Sequence, residues 1–120
     1  MKIPKRAGKL DIVIEAGTTF DYILSYADCD GLPIDLTGYT ARMKARTSHS
    51  SLTVLLDMTT ANGKLVLGGI AGTIQLLLDA VETAGLTFTC AVYDLELVSP
   101  GGVVTRLIEG KVSVSPEVTY

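Results

Sequence analysis

Three carboxylates surround a glycine in Asp28-Cys29-Asp30-Gly31-Leu32-Pro33-Ile34-Asp35. Acidic side chains on a glycine turn are the raw material of a calcium loop. The spacing is not that of an EF-hand, however, and the distal glutamate is missing. Aspartate and glycine favour turns unaided, which is the plainer account. Ser48-His49-Ser50-Ser51 sets the one histidine among hydroxyls. A nucleophile–base pair also needs an orienting third group and an oxyanion hole, and neither has a signature here. Asp94, Glu96 and Glu109 could gather carboxylates on paired strands, but Arg106 and Lys111 lie close by, so cross-strand charge pairing explains them better. Gly68-Gly69-Ile70-Ala71-Gly72 lacks the Lys-Ser/Thr and the following helix of a phosphate loop. Cys29, Cys90 and His49 do not close a zinc site, since no ligand spacing supports one. The residues therefore predict no catalytic, cofactor or metal site, and no enzyme.

The elements that must carry these residues read with period two. Leu10 to Glu15 alternates, Ala16-Gly17 breaks it, and Thr18 to Ala27 follows with Phe20, Tyr22, Leu24 and Tyr26 on one face. After the Asp28–Pro33 turn, Asp35-Leu36-Thr37-Gly38 leads into Tyr39 to Arg46. There Tyr39, Ala41, Met43 and Ala45 alternate with Thr40, Arg42, Lys44 and Arg46, the pattern of a half-buried strand. Gly38 should release the chain from a turn so that Tyr39 begins that strand facing inward.

Thr47 to Ser51 reads as a loop and Leu52 to Met58 as a strand. Asn62-Gly63 suits a type I′ hairpin turn before Lys64 to Leu67. Thr73 to Leu78 is another strand. Asp79-Ala80-Val81-Glu82 fits a capping box, and Gly85 keeps the helix to a single turn over Ala80 to Ala84. Thr87 to Val98 and Val103 to Ser115 flank Ser99-Pro100-Gly101-Gly102 as a final hairpin.

Within that hairpin the apolar phase switches. Phe88, Cys90 and Val92 share one face, while Tyr93, Leu95 and Leu97 take the other. Either a bulge sits near Tyr93–Asp94, with Gly110 its counterpart, or Leu95, Leu97 and Leu107 form an outward apolar face for a partner. Cys90 reads as a small buried hydrophobe and Cys29 as exposed. A reducing compartment argues against joining them.

About eight short strands with turn signals between them and one turn of helix predict an all-β sandwich of roughly seven to nine strands. The absence of tryptophan removes the Cys–Trp–Cys core of antibody domains. At 120 residues one domain is expected,. It is divided into an N-terminal arm, residues 1–9, and a sandwich, residues 10–120. The net charge of −3 argues against general nucleic-acid binding,. The chain opens without an apolar signal region, and no stretch approaches membrane-spanning length. Folding in a cytoplasm, free of membranes, is the expectation.

Three segments carry a family resemblance. YDLELVSPGGVVTRLIEGKVSVSPEVT resembles the C-terminal segment of small proteins encoded among tail and baseplate genes of tailed bacteriophages. DCDGLPIDLTGYTARMKAR and GTIQLLLDAVETAGL are similar to further parts of the same proteins. Together they span residues 28 to 119. The resemblance implies an immunoglobulin-like virion component, akin to the N-terminal domain of baseplate upper proteins and assembled in the host cytoplasm. The arm and the hairpin are expected to contact other subunits, with like copies forming a homo-oligomer, a ring or trimer about a tail axis, and other tail or baseplate proteins as partners. A host-receptor or glycan-binding module of a phage is the alternative. Contacts are expected from the arm through Lys5, Arg6 and Lys9. The hairpin should add Leu95, Leu97, Arg106 and Leu107.

Overall fold

The computed structural model describes residues 8–118. Among these residues nine strands form two facing sheets. They are β1 (Gly8–Lys9), β2 (Ile12–Glu15), β3 (Phe20–Ser25), β4 (Thr40–Arg46), β5 (Leu56–Thr59), β6 (Leu65–Leu67), β7 (Thr73–Leu78), β8 (Cys90–Val98) and β9 (Val104–Ser115). The larger sheet runs β1-β9-β8-β4-β5, with β2 also on β9; the smaller runs β3-β7-β6. β1 and β2 pair with β9 in parallel, and every other pairing is antiparallel.

The alternation read from the sequence decides what fills the space between the sheets. Ala41, Met43 and Ala45 of β4 meet Ala91, Tyr93, Leu95 and Leu97 of β8, all buried, against Leu24, Leu65, Ile74, Leu76 and Leu78 of the smaller sheet. Removing these side chains from water is the main stabilising term, at roughly 1.5–3 kcal/mol for each large one fully buried. Tyr39 is half-buried and packs on this core, and Gly38 before it has φ of 80°. A Cβ on Gly38 would also stand 2.9 Å from Cγ of Pro100, so the glycine lets the β8–β9 turn close onto β4,.

The short helix α1 spans Ala80–Ala84, with both capping-box bonds present: the Asp79 carboxylate accepts from the Glu82 N–H and the Glu82 carboxylate from the Asp79 N–H,. Thr83 on this helix is fully buried. Its hydroxyl donates to the Thr18 carbonyl at 2.7 Å and accepts the Gly17 N–H at 3.0 Å, tying α1 to the β2–β3 turn.

Several expectations need correction. The expected strand from Leu10 to Glu15 begins only at Ile12, after a kink at Leu10–Asp11. Gly8 and Lys9 pair with Ile108 and Glu109, so the sheet begins inside the expected arm. Leu52 is 92% exposed and precedes β5, which starts only at Leu56. Asn62-Gly63 does not close a hairpin, because β5 and β6 belong to different sheets and the chain crosses between them there. Only Gly63 has positive φ, whereas a type I′ turn needs two such residues,. The Asn62 amide instead closes the edge of β5. It accepts the Thr59 N–H at 3.0 Å and donates to the Asp57 carbonyl at 3.1 Å, as a neighbouring strand would,.

The final hairpin settles the phase question. A bulge is present, on β9 rather than at Tyr93–Asp94. Leu95 pairs with Ile108 and Glu96 with Arg106, leaving Leu107 as the extra residue. Leu107 and Ile108 are consecutive, yet both are fully buried. Adjacent residues of a regular strand point to opposite faces, and the bulge turns both inward. Leu95, Leu97 and Leu107 therefore belong to the core and are not contact residues. Cys90 is exposed, not buried, because the inward set on β8 begins at Ala91; Phe88 packs on the core from the preceding link. Both cysteines are free.

Candidate contact face

The outer face of the larger sheet carries the charge that the inner face excludes. β4 directs Arg42, Lys44 and Arg46 outward, and β8 directs Val92, Asp94 and Glu96. In register, Arg42 faces Glu96 and Lys44 faces Asp94. The Arg42 guanidinium donates to Glu96 at 2.7 Å. Asp94 is engaged from the other side by Arg106, at 3.6 Å. Glu109 accepts from Lys9 at 2.7 Å and lies 3.8 Å from Arg106. The Lys9 hydrogen bond holds the Glu109 carboxyl below its usual range, with smaller contributions from Arg106 and His49. These pairs are solvent-exposed, so each contributes little stability and is screened by salt. Their effect is to fix which charges are left over.

Lys44 is one such charge: among the described residues it makes no ion pair and no side-chain hydrogen bond. Beside it, the Arg46 guanidinium donates to the Ser51 carbonyl at 3.1 Å, which draws residues 47–51 over the end of β4. The loop brings His49 over Val92. His49 and Val92 line both a groove of about 340 Å³ running toward Lys44 and a second of about 260 Å³ running toward Lys111. The result is a shallow polar channel across the strands, with an apolar point at its middle.

The kink at Leu10–Asp11 walls the far end of this channel. The Leu10 N–H donates to the Glu109 carbonyl at 3.0 Å, and the Asp11 carboxylate accepts the Lys111 N–H at 3.0 Å. From below, the Tyr93 hydroxyl donates to the Leu10 carbonyl at 2.6 Å. Burial raises the Tyr93 pKa strongly, and the nearby Asp11 adds to the effect.

Other sequence candidates are spent on local structure. Asp28 accepts the N–H groups of Asp30 and Leu32, and Asp35 accepts the N–H and hydroxyl of Thr37. The Thr37 bonds lower the Asp35 pKa. Among the described residues no three His, Cys, Asp or Glu side chains gather as a metal site. Ser48 and Ser50 are 3.4 Å apart and His49 turns toward the channel. Of the expected contact residues, Lys9 and Arg106 lie on the charged face, whereas Lys5 and Arg6 fall outside the described residues. Lys44, Arg46 and Val92 were not singled out as contact residues by sequence reasoning, and His49 was weighed there only as a catalytic or zinc candidate. The alternation of β4 already placed its cations outward. The position of the 47–51 loop had no local signal.

A similar overall fold occurs in a known structure. This chain is similar to a solved chicken TCR at a TM-score of 0.54 and 13% sequence identity, over 95% of this chain and 56% of that one. The fold is immunoglobulin-like. At that identity the likeness shows the fold alone, and this chain spans little more than half the length of the one it matches. No protein-family model and no curated protein matches the sequence.

Proposed function

We propose that this chain is a non-enzymatic structural protein of a virus particle, a tail or baseplate component that docks neighbouring subunits through the outer face of its larger sheet. The observation that carries the docking role is the leftover positive charge at Lys44 and Arg46, set in a preformed channel on a rigid sheet. The virion setting rests on the three segments that resemble tail and baseplate proteins. Assembly would then take place in the host cytoplasm, with other virion proteins as partners and like copies side by side.

The aromatic residues favour docking over the glycan-binding alternative. Glycan sites need aromatic platforms beside polar groups. Tyr26 and Tyr93 are buried; Tyr22 is 40% exposed and stacks on Phe20 with ring centroids 6.5 Å apart, but this pair lies on the smaller sheet, away from the polar channel.

The test is quantitative mass spectrometry of gradient-purified particles from infected cells, with intact protein and a Lys44→Glu variant expressed in parallel. The proposal expects the intact chain in a fixed ratio to other particle proteins and the variant depleted at least several-fold. Particles devoid of the chain, from a lysate rich in the folded protein, would overturn it.

A further inference from the structure

Two exposed charges of opposite sign, Asp30 and Lys44, make no ion pair among the described residues, one on the link before β4 and the other toward the end of β4. Between β3 and β4 the chain makes a small hairpin-like tip. Ala27 bridges Pro33, the Asp28 N–H donates to the Leu32 carbonyl at 2.9 Å, and the Gly31 N–H donates to the Asp28 carbonyl at 3.0 Å. The Asp28 carboxylate locks the tip from within by accepting two backbone N–H groups. At its apex Asp30 is exposed, and its carboxylate makes no ion pair or hydrogen bond among the described residues. Beside it Leu32 is 61% exposed. This tip lies on the link that leads into β4 at Thr40. The channel with Lys44, Arg46 and Val92 lies toward the end where β4 finishes, several residues further on at roughly 3.3 Å each,.

We infer that copies of this chain associate head to tail, the Asp28–Leu32 tip of one copy seated in the Lys44 channel of the next. The Asp30 carboxylate meets the Lys44 ammonium and the exposed side of Arg46, and Leu32 covers Val92. Charge complementarity together with the exposed Leu32 beside the carboxylate argues for this occupant. The channel also carries Asp94 and Glu96, which repel a polyanion such as nucleic acid; because Arg106 and Arg42 engage them, a single incoming carboxylate is drawn to Lys44 and Arg46,. A rigid tip loses little conformational freedom on docking. A contact between two different patches is heterologous, so repetition builds a ring or an open filament rather than a closed pair. Each contact is small and salt-sensitive, and ring closure makes their sum effective. The inference rests on the reading of this chain as a structural subunit and gives that reading its self-contact.

The experiment is sedimentation velocity of the intact chain from about micromolar to millimolar concentration, beside Lys44→Glu, Asp30→Lys and an equimolar mixture of the two. Both substitutions fall on exposed side chains, and thermal melts confirm that each variant is folded. Wild-type protein is expected to associate with increasing concentration. Each variant alone should be weakened by about tenfold or more, since each places like charges together. The mixture should recover association, because the tip of each variant then complements the channel of the other. A wild type that stays monomeric throughout, variants that associate as the wild type does, or a mixture of folded variants that fails to recover would each overturn the head-to-tail contact. None of these outcomes bears on whether the chain enters particles by docking on other proteins, which the particle measurement reads separately.

Discussion

Tyr93 and Gly110 face each other across β8 and β9, and the tyrosine hydroxyl reaches past the glycine to the Leu10 carbonyl of the next chain segment, 2.6 Å away. A Cβ on Gly110 would lie 2.2 Å from that same carbonyl oxygen. The glycine leaves room for the kink at Leu10–Asp11, and the hydroxyl fixes it. Gly110→Ala is therefore expected to push the β1–β2 link off β9. The cost should be about 1–3 kcal/mol, the usual range for overpacking, read as a lower urea midpoint. An unchanged midpoint would show that the link moves aside freely.

Tyr93→Phe removes the hydroxyl and leaves the Leu10 carbonyl without that donor. A loss of about 1–3 kcal/mol is expected. The pH dependence has a definite sign. Burial raises the folded-state pKa of Tyr93 above its ordinary value of 10.0, so its contribution is complete below that pH and is lost as pH rises toward the folded value,. The wild type should lose stability in alkali faster than Tyr93→Phe does. Parallel alkaline curves for the two proteins would contradict the assignment.

Leu95 and Leu97 are fully or almost fully buried, and their substitution reports on the core. Leu95→Ala should cost about 2–5 kcal/mol as a cavity mutant. Leu95→Asp places an unpaired carboxylate in the core and should leave little folded protein. A well-dispersed NMR spectrum from Leu95→Asp would mean that this side chain has an exit to solvent.

Acid should loosen the α1 end of the sandwich. The Glu82 carboxyl is held below its ordinary value of 4.5 first by the Lys64 side chain, then by the Asp79 N–H. A depressed folded-state pKa contributes stability above the ordinary value, lost as pH falls through the folded one. Glu82→Gln should therefore show a flatter decline in urea midpoint than the wild type between about pH 5 and pH 3. Equal slopes would place the acid sensitivity in other carboxylates.

Much of this architecture was legible because its signals are local. The capping box at Asp79 and Glu82, the alternation from Tyr39 to Arg46 and the turn at Ser99–Gly102 each depend on residues within a few positions of one another. The failures are non-local. Asn62-Gly63 has the composition of a hairpin turn, but whether its flanking strands pair depends on which sheet each joins. Leu107-Ile108 gives no phase by itself, so the bulge could be inferred but not placed. Reading Cys90 and Val92 as inward followed from extending the phase of Phe88 into β8. The cations of β4 were visible as an outward row, and the channel beside them awaited the loop that Arg46 draws in.

The central claim, that the charged face docks another chain, is tested most directly by zero-length carbodiimide cross-linking of assembled particles, with mass-spectrometric mapping of the bonds formed by Lys44. The account predicts Lys44 joined to a carboxylate of another chain, Asp30 of a second copy foremost, and absent from the free monomer. Lys44 joined only to Asp94 of its own strand pair, equally in particle and monomer, would contradict it.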